Sequence, residues 1–219
     1  MFFLKILRRK LPRLVVETFI GSLYHGAFDS NECVFVHIPK AAGSSVSLSL
    51  FGFQVSHRSA IEYQLDDPLK FTEYYKFSFV RNPWDRLVSA YFFLKQGGMD
   101  VRDKAWADEN LSDIDSFDQF VREWVNSENI MKKNHFIPQY LYLNNGIPGS
   151  RTILVDYVGR TEDMDASFAH VSKKIESEFE LVTRNSSEHK EYREYYTEET
   201  KMIVRDIYAF DVELFGYKF

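Results

Sequence analysis

Short apolar runs along the chain predict a small set of buried strands. The run Val34–Val36 is β-branched and aromatic, which is the composition of a buried parallel strand. The segment Tyr74–Val80 alternates around Phe77 and Phe79 and ends in an apolar valine, so it predicts a second strand. Thr152–Val158 predicts a third strand. We therefore expect an α/β fold with a central parallel sheet.

Apolar residues at helical spacing predict helices between and after these strands. The clearest helix begins at Asn82 and Pro83, a good N-cap followed by a good first residue, and has a broad apolar face. The polar, glycine-containing segment Lys95–Asp113 is expected to be a loop or lid. The other predicted helices are one over Phe117–Val125 capped by Asp115 or Ser116, one over Met164–Phe179, and a last one from Thr197 to about Tyr208.

The stretch Val34–Ser45 combines a strand with features of an anion-binding loop, V-F-V-H-I-P-K-A-A-G-S-S. Pro39 ends the strand, Gly43 permits a tight backbone path, and one of the serines Ser44–Ser45 can cap a following helix. Backbone N–H groups, the helix dipole and the cation of Lys40 together favour a bound anion.

Two features of this stretch leave alternatives open. Val46, Leu48 and Leu50 alternate with serines at a strand period, but we predict a helix because such a loop needs a helix behind it. The loop is not a Walker A motif, since that motif has consecutive Gly-Lys-Ser/Thr and here Lys40 precedes Gly43. An ordinary strand–turn–helix with a solvated lysine is the alternative to an anion site.

The second predicted strand runs directly into R-N-P-W-D-R, so Arg81 lies at its carboxyl end. Open α/β sheets bind ligands at this edge, which makes Arg81 a candidate ligand contact. Ser89 lies two turns down the predicted helix and can face the same ligand. The alternative for Arg81 is a surface ion pair.

Composition sets limits on the class of protein. The 219 residues are enough for one well-buried domain and few for two, and a hydrophobic content of 45% argues against disorder. The net charge of −5 is unlike that of nucleic-acid-binding proteins, so no nucleic-acid partner is expected. The single cysteine, Cys33, excludes an intramolecular disulfide, suits a reducing compartment and is expected in the core.

Residues 1–30 are expected to form a basic, amphipathic segment of a single domain that spans 1–219. Charges interrupt Met1–Phe19 too early for a membrane-spanning helix. One interpretation is an amphipathic helix in peripheral contact with an anionic membrane, and the other is a solvated helix packed on the domain.

The sequence H-I-P-K-A-A-G-S-S resembles the 5′-phosphosulfate-binding loop of sulfotransferases that use 3′-phosphoadenosine 5′-phosphosulfate (PAPS). It is most similar to the membrane-associated and bacterial carbohydrate branch, which includes heparan 2-O-sulfotransferase-like enzymes. The commoner family loop has threonine and glycine where this chain has Ala41 and Ala42, which removes one hydroxyl donor. The resemblance implies cofactor contacts from Pro39, Lys40, Ala41, Ala42, Gly43, Ser44 and Ser45.

Further likenesses follow along the chain. F-S-F-V-R-N-P-W-D-R-L-V-S resembles the family's 3′-phosphate-binding strand and helix, in which an arginine and a serine, here Arg81 and Ser89, contact the cofactor. V-G-R-T-E resembles a turn near the adenine and N-H-F-I-P-Q a patch near the acceptor, although a hydrogen-bonded packing patch would give the latter pattern too. The residues implied in these looser likenesses are Arg160 near the adenine, Arg193 near the cofactor phosphate, His135 and Gln139 in the patch, and Phe210–Phe219 as a C-terminal closure.

Sulfuryl transfer needs in-line geometry, stabilisation of charge on the leaving phosphate, and a base for the acceptor hydroxyl. Lys40 and the loop N–H groups can supply the stabilisation. Histidine is the default base, and His57 lies between the two motifs, where some glycan sulfotransferases of this branch have a catalytic histidine. His135 is the second candidate, and a carboxylate stays open because other sulfotransferases use one.

The resemblance thus implies a three-layer α/β/α domain of P-loop-like order that moves a sulfuryl group from PAPS to a carbohydrate hydroxyl, without a metal. The product is 3′-phosphoadenosine 5′-phosphate (PAP). Because lumenal animal members usually carry an N-terminal membrane anchor and none is recognised here, a bacterial-type cytoplasmic enzyme is expected, with peripheral contact at the inner membrane face as an option.

Two other functions remain as alternatives. A nucleotide or small-molecule kinase of related fold would need Mg²⁺ ligands and a Walker-type lysine, and neither is evident. A catalytically inactive nucleotide-binding protein would have lost the base, whereas both candidate histidines are present.

Overall fold

A parallel sheet with helices around it forms the framework of the protein. The computed structural model describes residues 22–147, 149–176, 180–182 and 190–219. Its strands are β1 (Cys33–Val36), β2 (Tyr75–Val80) and β3 (Tyr157–Arg160). Strand β2 lies in the middle and pairs in parallel with both neighbours. The predicted α/β class is confirmed.

The helices are numbered in chain order. Around β1 and before β2 lie α1 (Gly26–Ser30), α2 (Gly43–Phe51), α3 (Ala60–Asp66) and α4 (Pro68–Glu73). Between β2 and β3 lie α5 (Pro83–Lys95), α6 (Val101–Leu111), α7 (Phe117–Gln119) with a π-helical turn over Phe120–Trp124, a 3-10 turn over Asn129–Met131, and α8 (Tyr140–Leu143). After β3 come a 3-10 turn (Thr161–Asp163), α9 (Met164–Lys174), a 3-10 turn (Tyr192–Tyr195), α10 (Glu198–Ile207) and α11 (Ala209–Leu214).

Strand β1 is buried along its whole length, which explains its apolar run. Phe35 stacks on Phe77 of β2, with ring centroids 5.2 Å apart. Ser78 lies opposite Val36 and donates its hydroxyl to the Val36 carbonyl at 2.6 Å. Cys33 is buried as predicted, and burial raises the pKa of its thiol to about 12. Because the strands are parallel, the segments that follow β1 and β2 leave the sheet at the same edge.

The helix predicted after the β1 loop is confirmed, but its start differs from the prediction. Helix α2 begins at Gly43, and its N-cap is Ala42 in the left-handed conformation (φ 54°) without a side-chain cap. The prediction that a serine caps this helix is therefore wrong, because the backbone turns earlier and places Ser44–Ser45 in the first turn. The start of α5 agrees with the prediction, since Asn82 accepts a hydrogen bond from the Trp84 N–H at 3.1 Å.

The prediction of a loop or lid over Lys95–Asp113 is wrong. Lys95 ends α5, and most of the remainder forms α6, whose N-cap Asp100 accepts hydrogen bonds from two backbone N–H groups. The helix buries Ala107 and Leu111, but the charged residues around them hide this short apolar stripe in the sequence.

Other boundaries in the C-terminal half differ in smaller ways. The third strand begins at Tyr157 rather than Thr152, because pairing with β2 starts only where Tyr157 lies opposite Phe77. The predicted capping of a helix by Thr197 is confirmed, but α11 follows that helix, so it is not the last one. The helix predicted over Met164–Phe179 is confirmed as far as Lys174, where it ends earlier than predicted with Ile175 as its C-cap; residues 177–179 lie outside the described part.

The predicted amphipathic segment Met1–Phe19 lies outside the described residues, and so does His189. The single-domain prediction for 1–219 with a basic segment 1–30 therefore stays a prediction. Among the described helices, none combines the length and the hydropathy that a bilayer-crossing segment requires.

Gly43→Ala is expected to destabilise the protein and distort the loop before α2. A Cβ atom at this position would lie 1.9–2.0 Å from atoms of the His37 ring, which is buried and held by a hydrogen bond to the Val55 carbonyl. Such overpacking typically costs about 1–3 kcal/mol. Thermal or urea unfolding measures the loss.

Gly26→Ala is the matched control, because in the described part of the chain no atom beyond its own chain and helix neighbours lies within 4 Å of the added Cβ atom. This variant should unfold within about 0.5 kcal/mol of the wild type. Equal stability of the Gly43→Ala and Gly26→Ala variants would contradict the close packing of His37 on the loop.

Candidate active site at the carboxyl ends of strands β1 and β2

The loop between β1 and α2 has an unusual backbone. Lys40 and Ala42 both have positive φ angles, of 65° and 54°, which non-glycine residues rarely adopt. His37 packs its buried ring against Gly43, and its Nδ1 donates to the Val55 carbonyl at 2.6 Å. The buried His37 ring thus restricts the loop to one conformation at the point where α2 begins.

Lys40 lies half-buried in this loop, with its ammonium 4.0 Å from the centroid of the Phe93 ring. Burial lowers the pKa of Lys40 to about 8, with the neighbouring charge of Arg81 acting in the same direction and Asp103 opposing both effects. The ammonium has lost much of its hydration and repels a second cation. An anion placed beside it would therefore be strongly stabilised.

Arg81 follows β2 and lies next to the same loop. Its guanidinium forms two hydrogen bonds with Asp85, at 2.7 and 2.8 Å, and its Nη1 lies 3.5 Å from the Lys40 carbonyl oxygen. The ion pair given above as the alternative for Arg81 is thus present, although the pair is mostly buried rather than on the surface. The same side chain also borders the lysine loop, so the ion pair does not remove it from the site.

Arg86 is a site residue that the sequence reasoning missed. It is 2% exposed, and its Nε donates to the Pro39 carbonyl at 2.9 Å, which ties α5 to the lysine loop. Its Nη2 is buried and has no hydrogen-bond partner among the described residues. A second arginine in R-N-P-W-D-R, five residues after Arg81, was the available signal.

His57, the first candidate base, lies beside the loop. Its Nδ1 lies 3.1 Å from the His37 carbonyl, and the two imidazole centroids are 4.1 Å apart. A carbonyl only accepts hydrogen bonds, so Nδ1 carries the proton and Nε2 keeps its lone pair. The ring reaches solvent yet has protein on several sides, and this burial lowers its pKa. The neutral imidazole can therefore take a proton at Nε2.

His135 lies deeper in the molecule than His57. It is 8% exposed, its ring centroid is 5.1 Å from that of Phe93, and its buried Nδ1 has no hydrogen-bond partner in the described part of the chain. Burial lowers the pKa of His135, while Asp103 acts in the opposite direction. Asp103 itself pairs with Lys133 at 2.7 Å. No sequence motif pointed to Asp103 or Lys133, because they come from two segments that meet only in the fold.

The remaining predicted residues are distributed around this centre. Ser89 is buried in α5 and has a bonding partner, and Ser44–Ser45 lie half-buried at the start of α2. The guanidinium of Arg160 donates to the Phe215 carbonyl and stacks on Tyr217, so both of these side-chain contacts are with the C-terminal tail.

The described contacts of the Arg193 side chain do not include the lysine loop. Its guanidinium is exposed, pairs with Glu191 at 2.7 Å and lies 4.5 Å from the Tyr192 ring centroid. Among the described residues, no three His, Cys, Asp or Glu side chains are grouped so that they could hold a metal ion.

Comparison with known proteins gives the class of the molecule. A family model described as "Sulfotransferase family" matches residues 27–218, which is most of the chain. The protein therefore belongs to the sulfotransferase family, whose general activity is sulfuryl transfer. Neither the curated proteins nor the solved structures contain a match to this chain.

We expect Lys40 to titrate near pH 8 in the free protein, because burial and Arg81 both disfavour its charged form. Carbon-13 NMR of reductively methylated lysines can follow its titration, with the Lys40→Arg spectrum assigning the signal. Arg81→Met should raise the pKa of Lys40 and Asp103→Asn should lower it, since the two charges act in opposite directions. A midpoint near the ordinary lysine value of about 10.4 would contradict the described environment.

Proposed function

We propose that the protein transfers a sulfuryl group from PAPS to a hydroxyl group of a carbohydrate acceptor. The observation that carries the proposal is the contact between two motifs that are far apart in the sequence. The lysine loop and Arg81 lie side by side, with 3.5 Å between the Lys40 carbonyl oxygen and Arg81 Nη1. In the resemblance described above, these motifs bind the two ends of one PAPS molecule.

The chain's own groups suit the two phosphate positions of such a donor. Lys40 and the backbone N–H groups at the start of α2 would hold the 5′-phosphosulfate, and Arg81 the 3′-phosphate. Beside the same loop, Arg86 adds a third positive charge and donates its Nε to the Pro39 carbonyl at 2.9 Å, so it supports the loop from within the core. When bound, PAPS supplies the activated sulfuryl group and leaves as PAP.

His57 is the base in this proposal. Its Nδ1 is held by the His37 carbonyl, so its Nε2 takes the proton from the acceptor hydroxyl. The lowered pKa of His57 keeps the ring neutral and ready to accept a proton at neutral pH. His135 is less suited because its ring is 8% exposed, which leaves little room for an acceptor to reach it.

The carbohydrate acceptor and the compartment rest on the sequence. The likeness of the lysine loop to the carbohydrate branch supports the acceptor class. A single cysteine, Cys33, suits the reducing cytoplasm in which we place the reaction. A peripheral contact of the basic N-terminal segment with an anionic membrane is part of the same proposal.

Calorimetric titration should find that PAP binds without added metal and that AMP binds about 10- to 100-fold more weakly. The reason is that AMP lacks the 3′-phosphate, and a hydrogen-bonded charge is worth roughly 1.5–3 kcal/mol. Arg81→Met should reduce PAP affinity to nearly that of AMP, while AMP affinity changes little. A preference for ATP with Mg²⁺ over PAP would instead favour a kinase of related fold.

His57→Ala should lower kcat by about 10²- to 10⁴-fold and leave PAP affinity within about twofold of the wild type. The loss follows from removing the proton acceptor without touching the phosphate donors. Single-turnover measurements with a panel of polysaccharide acceptors, together with PAP titration, separate the two effects. Unchanged turnover in this variant, with a large loss in His135→Ala, would transfer the role of base to His135.

A further inference from the structure

A chain of buried polar contacts leads from helix α11 to Arg81. Gln139 is 0% exposed, and its side-chain amide forms two hydrogen bonds with the backbone of Arg81. Its Oε1 accepts from the Arg81 N–H at 2.9 Å, and its Nε2 donates to the Arg81 carbonyl at 2.8 Å. The Gln139 side chain thus satisfies the backbone N–H and carbonyl of Arg81, as a neighbouring strand would. Arg81 is the first residue after the end of β2.

Asp211 of α11 holds Gln139 in turn. Its Oδ2 accepts from the Gln139 N–H and its Oδ1 from the Tyr140 N–H, both at 2.8 Å. Asp211 is 0% exposed. Stacking of Tyr140 on Phe210, with centroids 4.8 Å apart, fixes the same two segments against each other. Both oxygens of the carboxylate are used, so the backbone at Gln139 cannot shift without breaking a buried hydrogen bond.

Burying these groups is costly, and apolar residues of the same volume would often stabilise a core better. The polar groups instead fix the orientation of Arg81. Arg81 is fixed at its backbone by Gln139 and at its guanidinium by Asp85, so its side chain is held at both ends. A guanidinium held in this way binds a phosphate with little loss of conformational entropy.

We propose that Gln139 and Asp211 are positioning residues that orient Arg81 toward the 3′-phosphate of the nucleotide. The inference rests on the proposed function, because it requires that Arg81 binds this phosphate. It gives the patch around Gln139 a role behind the nucleotide site, in place of contact with the acceptor.

The test compares PAP and AMP binding in three variants. Gln139→Met keeps the volume but removes both hydrogen bonds to Arg81. Asp211→Asn keeps the shape but turns one acceptor oxygen into a donor, which breaks one of the two backbone contacts. Asn144→Leu is the control, since Asn144 is 1% exposed and the described partners of its side chain are nearby Gly146 and Ile147.

The quantity to compare is the ratio of the dissociation constants of AMP and PAP, because it isolates the 3′-phosphate. We expect this ratio to fall about tenfold or more in the Gln139 and Asp211 variants and to stay unchanged in the Asn144 variant. Thermal unfolding measured in parallel reports the loss of stability, which does not by itself alter the ratio.

The outcomes distinguish the proposed function from the positioning role of Gln139 and Asp211. A wild-type ratio near one would overturn the proposed function, and the positioning role with it. A large wild-type ratio that persists in the Gln139 and Asp211 variants would overturn the positioning role alone, and so would equal weakening of PAP and AMP. Failure of both variants to fold would also overturn it, because the two residues would then serve the fold rather than Arg81.

Discussion

The hydrogen bond from Arg86 to the Pro39 carbonyl joins the two halves of the site, and the arrangement of the other groups depends on it. Parallel pairing of β1 and β2 brings the two following segments to one edge of the sheet, but pairing alone leaves their distance open. Arg86 sets that distance, since its Nε lies 2.9 Å from a loop carbonyl and its side chain is 2% exposed. A buried guanidinium is costly without an anionic partner. The buried carboxyl group of Asp211 is close enough to interact electrostatically with Arg86.

Three cations, those of Lys40, Arg81 and Arg86, meet at this site although the net charge of the chain is −5. Burial, and after it the charges of Arg81 and Arg86, lower the pKa of Lys40 to about 8. Asp85 neutralises part of this charge by pairing with Arg81, and Asp103 acts on Lys40. Repulsion among the three cations is thus partly compensated by the two carboxylates. Groups that are already oriented toward a developing charge stabilise it without further reorganisation.

Local chemistry decided which parts of this arrangement could be predicted from the sequence. The start of α5 at Asn82 has its capping and first-turn residues side by side, so it was predicted correctly. The strand–loop–helix around Lys40 was predicted too, but not its cap, because Ala42 begins the helix through its backbone alone. Helix α6 was missed because charged residues hide its short apolar stripe. The contact between Gln139 and Arg81 joins residues that are 58 positions apart and forms only on folding, so no local sequence pattern predicts it. The same holds for Asp103 and Lys133, whose pairing depends on how α6 meets the segment before α8.

The backbone of the lysine loop carries strain that the rest of the site maintains. Left-handed geometry costs roughly 1–2 kcal/mol for a non-glycine residue, and both Lys40 and Ala42 adopt it. The commoner loop of the resembling family has glycine where this chain has Ala42, so this chain bears a cost that a glycine would avoid. Left-handed residues next to right-handed or extended ones turn successive N–H groups into a concave nest for anions. The first hydrogen bonds of α2 to the Ala42 carbonyl, the His37 ring under Gly43 and Arg86 on the other side all oppose relaxation of the loop. These three sets of contacts keep the two left-handed residues in their strained conformation.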